Sequence, residues 1–424
     1  MRLSFSISMA LATTVVGFQS YANNIDTANS ISPVDPLSIS EPHFISEPTS
    51  ITKSSAAQKQ SLALQISERY SDLEIQLKDQ ITERHPSTSL DTLDTLGASQ
   101  AYSAFSYEME EADLSYRKMK GIEDFSDSVL ELRMADEAMI EAWKNGENPL
   151  FAFEPSGDDS NWQYIEAYDV YGQVHELDVY QMPDVPVFVV DSNGAEELKA
   201  GLMAMQAEMQ KLGTTTQINA VSDTNADESK PQKSSLMNRA RRSMALSEPE
   251  PLNTTQLTKI RLAVDQEPWI SGKAEIYAIV TGVDSSRLEP QIDLVEMPYL
   301  DYDKQTYYPN QTVIFWPRYR WGAADMVLME HYDGTDYKAL AKLLVQAAEE
   351  ILKMIPDPEV QGYAIIPQIT GKIIDVIPDG VLVNDDDFVD VYYTLMQNTP
   401  YVDRPGAGGN AVASFAPVTI SPTE

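Results

Sequence analysis

From Leu257 onward the chain is cut into strand-length pieces. "TKIRLAV", "KAEIYAIVTGV", "QIDLVEM", "QTVIFWP", "GKIIDVI" and "FVDVYYTL" each alternate or run apolar over the length of a strand, with Pro, Gly and Asp-rich turns between them. One helix interrupts the series between Thr335 and Ile355, where Leu340, Leu343, Leu344, Ala347, Ile351 and Ile355 form an apolar stripe and Pro356 ends it. The closing stretch "DRPGAGGNAVASFAPV" reads as loop. This pattern predicts an all-β sandwich with one inserted helix over residues 254–424.

The chain upstream has a different texture. Leu62, Ile66, Leu73, Leu77 and Ile81 recur at three- and four-residue spacing, which predicts a helix from about Ser55 up to Pro86. A second helical region is expected from Leu90 to Lys120, and a third over "SVLELRMADEAMIEAW", Ser128 to Trp143, with Asp127 as its N-cap and Gly146 closing it. After Pro149 the signals turn to strands. "PLFAFEP" is a short one, "WQYIEAYDVYGQVHELDV" is a hairpin turning at Tyr171-Gly172, and "VPVFVV" is a buried strand. An amphipathic helix from Ala195 to Leu212 stops at Gly213. Residues 55–212 are therefore expected to form an α+β N-terminal domain, a helical layer plus a small antiparallel sheet. Residues 213–253, dominated by Thr, Ser, Asn, Asp and Pro, are expected to be a flexible linker to the C-terminal domain.

The first 22 residues read as an export signal: Arg2, an apolar stretch from Leu3 to Phe18, and small side chains at Ser20 and Ala22. Residues 23–54 follow as a disordered leader. The apolar stretch is shorter than the roughly 20 residues a spanning helix needs, so a secreted or periplasmic protein without a transmembrane segment is expected. There is no cysteine, hence no lipid anchor and no disulfide.

Asp and Glu number 65 against 30 Lys and Arg, a formal net charge of −35. Such a surface repels phosphate backbones and argues against nucleic acid as a partner. It favours multivalent cations. Acidic loops adjoin several strands: "VDQEPWISGKAE" carries Asp265, Glu267 and Glu275; "NDDDFVD" carries Asp385, Asp386, Asp387 and Asp390; "YLDYD" and "YDGTD" add more. If these loops meet at one end of a sandwich their carboxylates repel one another, and calcium, which takes about six to eight oxygen ligands, relieves that repulsion. The candidate ligands are Asp265, Glu267, Glu275, Asp385, Asp386, Asp387 and Asp390. The contrary reading is that each acidic loop simply faces water. In the last strand Val389, Val391, Tyr393 and Leu395 are expected to share the buried face, with Asp390 and Tyr392 on the other.

The common catalytic signatures are missing: no nucleophile elbow, no zinc-protease helix motif, no phosphate-binding loop with its lysine. Of four histidines, His43 and His85 fall in loops and His175 on an exposed strand. His331 lies among Glu330, Asp333 and Asp336, where Asp333 or Thr335 is expected to cap the following helix. Seven Tyr and Trp residues from Tyr299 to Trp321 make either a sugar- or protein-binding surface or a core, with Arg318 and Arg320 expected to pair with acids on neighbouring strands. Arg239, Arg241 and Arg242 form a basic island in the linker that a trypsin-like protease could cut. Two functional readings follow. One is an exported two-domain binding or structural protein whose sandwich uses calcium to attach to a carbohydrate, cell-surface or protein partner. The other is a secreted hydrolase zymogen released by cleavage in the Arg239–Arg242 segment, with His331, Asp333 and Asp336 as its polar residues.

Two phrases carry a resemblance: "ELRMADEAMIEAWKNGENPLFAFEPSGDDSNWQYIEAYDVYGQVHELDVYQMPDVPVFVVD" and "PYLDYDKQTYYPNQTVIFWPRYRWGAADMVLMEHYDGTDYKALAKLL". Over about Ser128 to Phe415 the chain resembles an uncharacterised family of exported proteins, a domain of unknown function, from marine gamma-proteobacteria of Vibrio type. The resemblance implies export and a shared two-part architecture. It implies no reaction, ligand or site residue.

Overall fold

Helical spacing in the first third brings together α1 (Pro48–Glu68), α2 (Tyr70–Gln80) and α3 (Gln100–Lys120), and the strands that follow give these helices a sheet to cover. The structure is a computed structural model that describes residues 48–93, 100–157, 161–220, 250–263, 268–331, 334–376 and 388–421. The first sheet contains β1 (Ser87–Ser89), β2 (Leu130–Met134), β3 (Leu150–Phe153), β4 (Ile165–Tyr168), β5 (Val174–Leu177) and β6 (Val187–Ser192), with α4 (Met139–Lys144) after β2 and α5 (Gly194–Lys211) after β6. Its strand order is β1-β2-β6-β3-β4-β5, and the β3–β6 pair is parallel while its other pairs are antiparallel. The expected hairpin, the buried strand and the long helix up to Gly213 all form here.

The remaining strands make two further sheets. They are β7 (Ile218–Asn219), β8 (Leu252–Leu262), β9 (Ile276–Val283), β10 (Pro290–Glu296), β11 (Thr306–Tyr307), β12 (Gln311–Phe315) and β13 (Ala323–Glu330). Three helices follow, α6 (Tyr337–Met354), α7 (Pro358–Gln361) and α8 (Ile366–Val376), then β14 (Phe388–Met396), β15 (Tyr401–Pro405) and β16 (Ala411–Ile420). The second sheet runs β14-β13-β9-β10-β7; the third runs β11-β8-β16-β15, with β12 also on β8. An apolar cluster holds these two sheets' facing residues together, among them Leu257, Ile260, Ala278, Val280, Met326, Leu328, Ala413 and Phe415. The opposite face of the second sheet, through Ile279, Leu294, Val327 and Met329, meets α5, α6 and α8. Helix, strand and sheet thus alternate in a mixed α/β architecture, helical at the start and β-rich towards the end.

Several sequence expectations change. Ser128–Trp143 is not one helix but β2 followed by α4. Leu130, Leu132 and Met134 alternate with period two, and β6 offers them a ladder partner. "GKIIDVI" is not a strand, because Ile366, Ile369, Thr370 and Ile373 carry a helical period that begins upstream of Gly371. The C-terminal part therefore has more than the single inserted helix expected. The closing stretch is not loop: β15 and β16 pair across Gly406–Gly409, with Ala411, Ala413 and Phe415 inward and Val412 outward.

In β14 the simple alternation fails as well. Asp390 and Tyr392 are both buried rather than solvent-facing. The β13–β14 register shifts twice, between Leu328 and Met329 and between Ala324 and Met326, with Thr394 at φ 54°, and each extra residue rephases the side chains.

The two expected domains do not have separate cores. Ser46–Glu424 is one compact unit, and a single apolar cluster runs from Leu62 and Trp143 through Leu202 to Leu344 and Val391. Residues expected to open the linker form β7, which pairs parallel with β10 through Ile218–Leu294 and Asn219–Val295. The basic island at Arg239–Arg242 and leader residues 23–47 lie outside the described residues, whereas residues 48–54, expected to be leader, belong to helix α1.

Candidate functional site

Along β2 the core takes Leu130, Leu132 and Met134, so Glu131 and Arg133 must share the other face. Glu131 sits directly opposite Asp191 of β6 in the antiparallel ladder, and paired residues project to the same side. Two carboxylates and a guanidinium are therefore fixed by register on one surface. This surface forms one wall of a cleft of about 670 Å³, whose other wall is the segment around Trp269, Ser271, Lys273 and Glu275, with Tyr302 and His331 at its edges.

The charges in the cleft are compensated unequally. Asp191 accepts from the Lys59 ammonium of α1 at 2.8 Å and from Arg133 Nε and Nη2 at 2.9 and 2.8 Å. Its neighbour Ser192 adds a backbone N–H at 2.8 Å. Lys59 is fully buried, so this triad replaces water as the solvent for all three charges. Arg133 also donates to the Ile270 carbonyl, which ties the sheet to the opposite wall. Glu131 has only neutral donors: Ser87 Oγ and Asn193 Nδ2, both at 3.0 Å and both to Oε2. Burial raises the Glu131 carboxyl above its ordinary range. The Ser87 and Asn193 bonds and Arg133 oppose this, and the adjoining Asp191 charge adds to it.

A second buried group lies behind the cleft. Glu197, on the first turn of α5, meets Lys120 Nζ at 2.8 Å, Tyr116 Oη at 3.0 Å and His331 Nε2 at 3.3 Å. Burial alone would raise the Glu197 carboxyl, but the Lys120 ammonium and the His331 ring outweigh it and hold it well below its ordinary range. His331 Nδ1 is 2.8 Å from Tyr337 Oη, so both ring nitrogens are engaged. The close approach of Tyr337 to α5 requires Gly201, where a Cβ would lie 2.2 Å from the phenol ring. This network joins α3, α5, α6 and the end of β13.

The sequence-derived metal ligands are distributed unevenly. Asp265, Glu267, Asp385, Asp386 and Asp387 lie outside the described residues. Glu275 lines the cleft, with its carboxylate over Gly194 at the start of α5; a Cβ there would be 2.3 Å from it. A helix N-terminus favours such a negative charge. Asp390 is elsewhere. It is fully buried under the Gly406–Gly409 turn, and its oxygens accept the backbone N–H groups of Val391, Gly408 and Ala411, each at 2.7 Å. Both oxygens are thus taken up in holding a turn.

Other assignments change or stand. Asp336, not Asp333 or Thr335, caps α6, accepting from Lys338 N and Ala339 N at 3.0 Å. Asp333 is outside the described residues. His85 forms a bridge with Thr82, and His175 is exposed beside Asp169 at 3.3 Å. Trp316 and Tyr319 are core residues, whereas Tyr302 and Tyr308 are exposed. Arg318 grips Asp293 of β10 with bonds of 2.9 and 2.7 Å, the pairing with a strand acid expected of it, whereas Arg320 meets an acid on a helix, Glu359 of α7, at 2.6 Å.

Glu131, Arg133, Asp191, Glu197 and Lys120 were missed from sequence. Reading 128–143 as a helix hid the alternation of "LELRM", the one local signal that puts Glu131 and Arg133 on the same side. Their pairing with Asp191 and Lys59 is long-range and leaves no local trace.

A mixed α/β protein with a polar cleft built on a six-stranded sheet is the class these features define. The chain belongs to the family described as protein of unknown function DUF3103, whose pattern matches residues 59–423. No curated protein and no solved structure matches it. None of the helices among the described residues is long and apolar enough to cross a membrane.

Proposed function

We propose that this chain is an exported binding protein that captures a small polar ligand in the cleft between β2–β6 and the 268–275 segment. The observation that supports it is the composition of the cleft, which has the size of a small-molecule site and sets carboxylate, amide and hydroxyl groups against the rings of Trp269 and Tyr302. Trp269 is held at the cleft by its own Nε1–H, which donates to the Asp178 carbonyl at 2.9 Å. Such a ring presents an apolar face at little entropic cost while the polar wall fixes orientation. Titrating the full chain with a panel of small polar molecules, read by tryptophan emission and compared with Trp269→Phe, tests the reading. Binding must vanish in Ser271→Trp, which fills the cleft; binding that survives this change is located elsewhere.

In the same reading, calcium orders the acidic loops that carry Asp265, Glu267 and Asp385–Asp387, with Glu275 at the cleft. The excess of acids, with its formal charge of −35, supports it. A melting midpoint that neither EDTA nor added calcium moves removes the metal from the proposal and leaves the cleft untouched.

A further inference from the structure

The acids around the cleft differ in what neutralises them, and the difference selects a ligand. Asp191 has two cations. Glu275 rests on the start of α5. Glu154 accepts from Ser271 Oγ at 2.9 Å. Glu131, partly buried, accepts from two neutral donors that both go to Oε2, and no described residue donates to its Oε1. Asp136 and Glu137 line the same cleft and form no ion pair among the described residues.

The two cations of the cleft are engaged to different degrees, Arg133 closely and the exposed Lys273 only loosely. Arg133 is spent on Asp191 and on the Ile270 carbonyl. Lys273 lies over the Tyr302 ring at 5.4 Å and 4.0 Å from Asp301. An anionic ligand would meet the acids Glu131, Asp136 and Glu137 with only the exposed Lys273 ammonium not already held in a close pair. A neutral ligand would leave the Glu131 charge poorly solvated. A compact cation with several N–H donors completes it.

Resting on the reading of the cleft as a ligand site, we infer that the site selects its ligand by a primary ammonium group, which Glu131 receives at Oε1. The ammonium belongs either to a free alkylamine or to a lysine side chain on a peptide, and the two differ in what else they bring into the cleft. Ionised Glu131 is the form that binds, so its raised carboxyl makes capture weaken on acidification sooner than an ordinary glutamate would.

The test uses matched pairs on the full chain by calorimetry at neutral pH: pentylamine against N-pentylacetamide, and Nα-acetyl-lysine methylamide against its side-chain-acetylated form. Loss of the charge is expected to weaken binding about tenfold or more, and Glu131→Gln to weaken the charged probes by a similar factor while leaving the acetylated ones unchanged. Whichever charged probe binds more tightly identifies the source of the ammonium. Equal binding of charged and acetylated probes overturns the inference and leaves the cleft a ligand site. Tight binding of small anions that Ser271→Trp abolishes does the same. A panel in which no probe of any charge binds overturns both readings. The probe pairs need no variant, so the outcome does not depend on Glu131→Gln folding.

Discussion

Asp325 offers a direct measure of what burying a carboxylate costs this fold. It lies on β13, on the face of the second sheet that α8 covers, and has no exposed surface. Its Oδ1 accepts the Thr394 N–H at 2.6 Å and so holds that residue at φ 54° in the β14 bulge. Burial raises the carboxyl from 3.8 to about 6; the Thr394 N–H, the Thr370 hydroxyl and the Arg404 charge oppose this without cancelling it. The native state therefore holds a proton more tightly than the unfolded chain does. The resulting stabilisation is complete below pH 3.8 and is lost as pH rises through about 6. At about 1.4 kcal/mol per pH unit, the displacement is worth about 3 kcal/mol. Asp325→Asn keeps an acceptor for Thr394 and removes the charge, so it should match the wild type near pH 4 and exceed it by up to about 3 kcal/mol at pH 8. Urea unfolding of both proteins at one-unit steps from pH 4 to pH 8 gives the difference curve, in which the many other carboxylates cancel. A flat difference, or a variant less stable at pH 8, refutes the reasoning.

Lys120→Met leaves Glu197 buried beside His331 and Tyr116 and should destabilise by about 3–5 kcal/mol, whereas Lys120→Met with Glu197→Gln should recover much of that loss in denaturant unfolding. Asp390→Asn replaces an acceptor of three backbone N–H bonds with a group that must turn a donor towards one of them; a loss of about 1.5–3 kcal/mol at pH 7 is expected, read as a lower urea midpoint. Gly201→Ala forces the Tyr337 ring away from α5 and should cost about 1–3 kcal/mol, with altered near-ultraviolet circular dichroism as the accompanying sign. Mild trypsin at Arg239, Arg241 or Arg242 should yield two fragments that co-elute on gel filtration, because β7 belongs to the second sheet and α5 packs against α6. Fragments that separate without denaturant would show that the shared core is too weak to hold them, as a released prodomain would require.

What could be read locally was read well. The 165–177 hairpin, the Val187–Ser192 strand and α5 each carry their pattern within one element and punctuate it with Gly or Pro. Errors fell where periods change within a few residues, as at 128–143, or where a helix begins before its most obvious apolar run, as at α8. β13 escaped notice because a strand covered on both faces, with Asp325 in the middle, shows neither alternation nor an unbroken apolar run. In β14 a correct strand carried the wrong facing, since bulges reset the alternation that sequence period assumes. The shared core was invisible for another reason: nothing in the composition of 213–253 signals that its first residues add a strand to a distant sheet.

The same distinction explains why the acids of this chain cannot be valued from their spacing. Asp390 sits in the acidic stretch NDDDFVD and Asp191 in the apolar VPVFVVDS, yet one is held by three N–H groups and the other by two cations, so neither has capacity left for a ligand. Glu131 lies between leucines in sequence but faces Asp191 across a ladder that only the folded sheet creates. Moving a charge into such a place is tolerable when the fold supplies its counter-charge, as Lys59 and Lys120 do from α1 and α3. Where the fold supplies only neutral donors and an open oxygen, the missing partner has to come from outside. That asymmetry, rather than the total of negative charge, is what separates a structural carboxylate from one that can recognise a ligand.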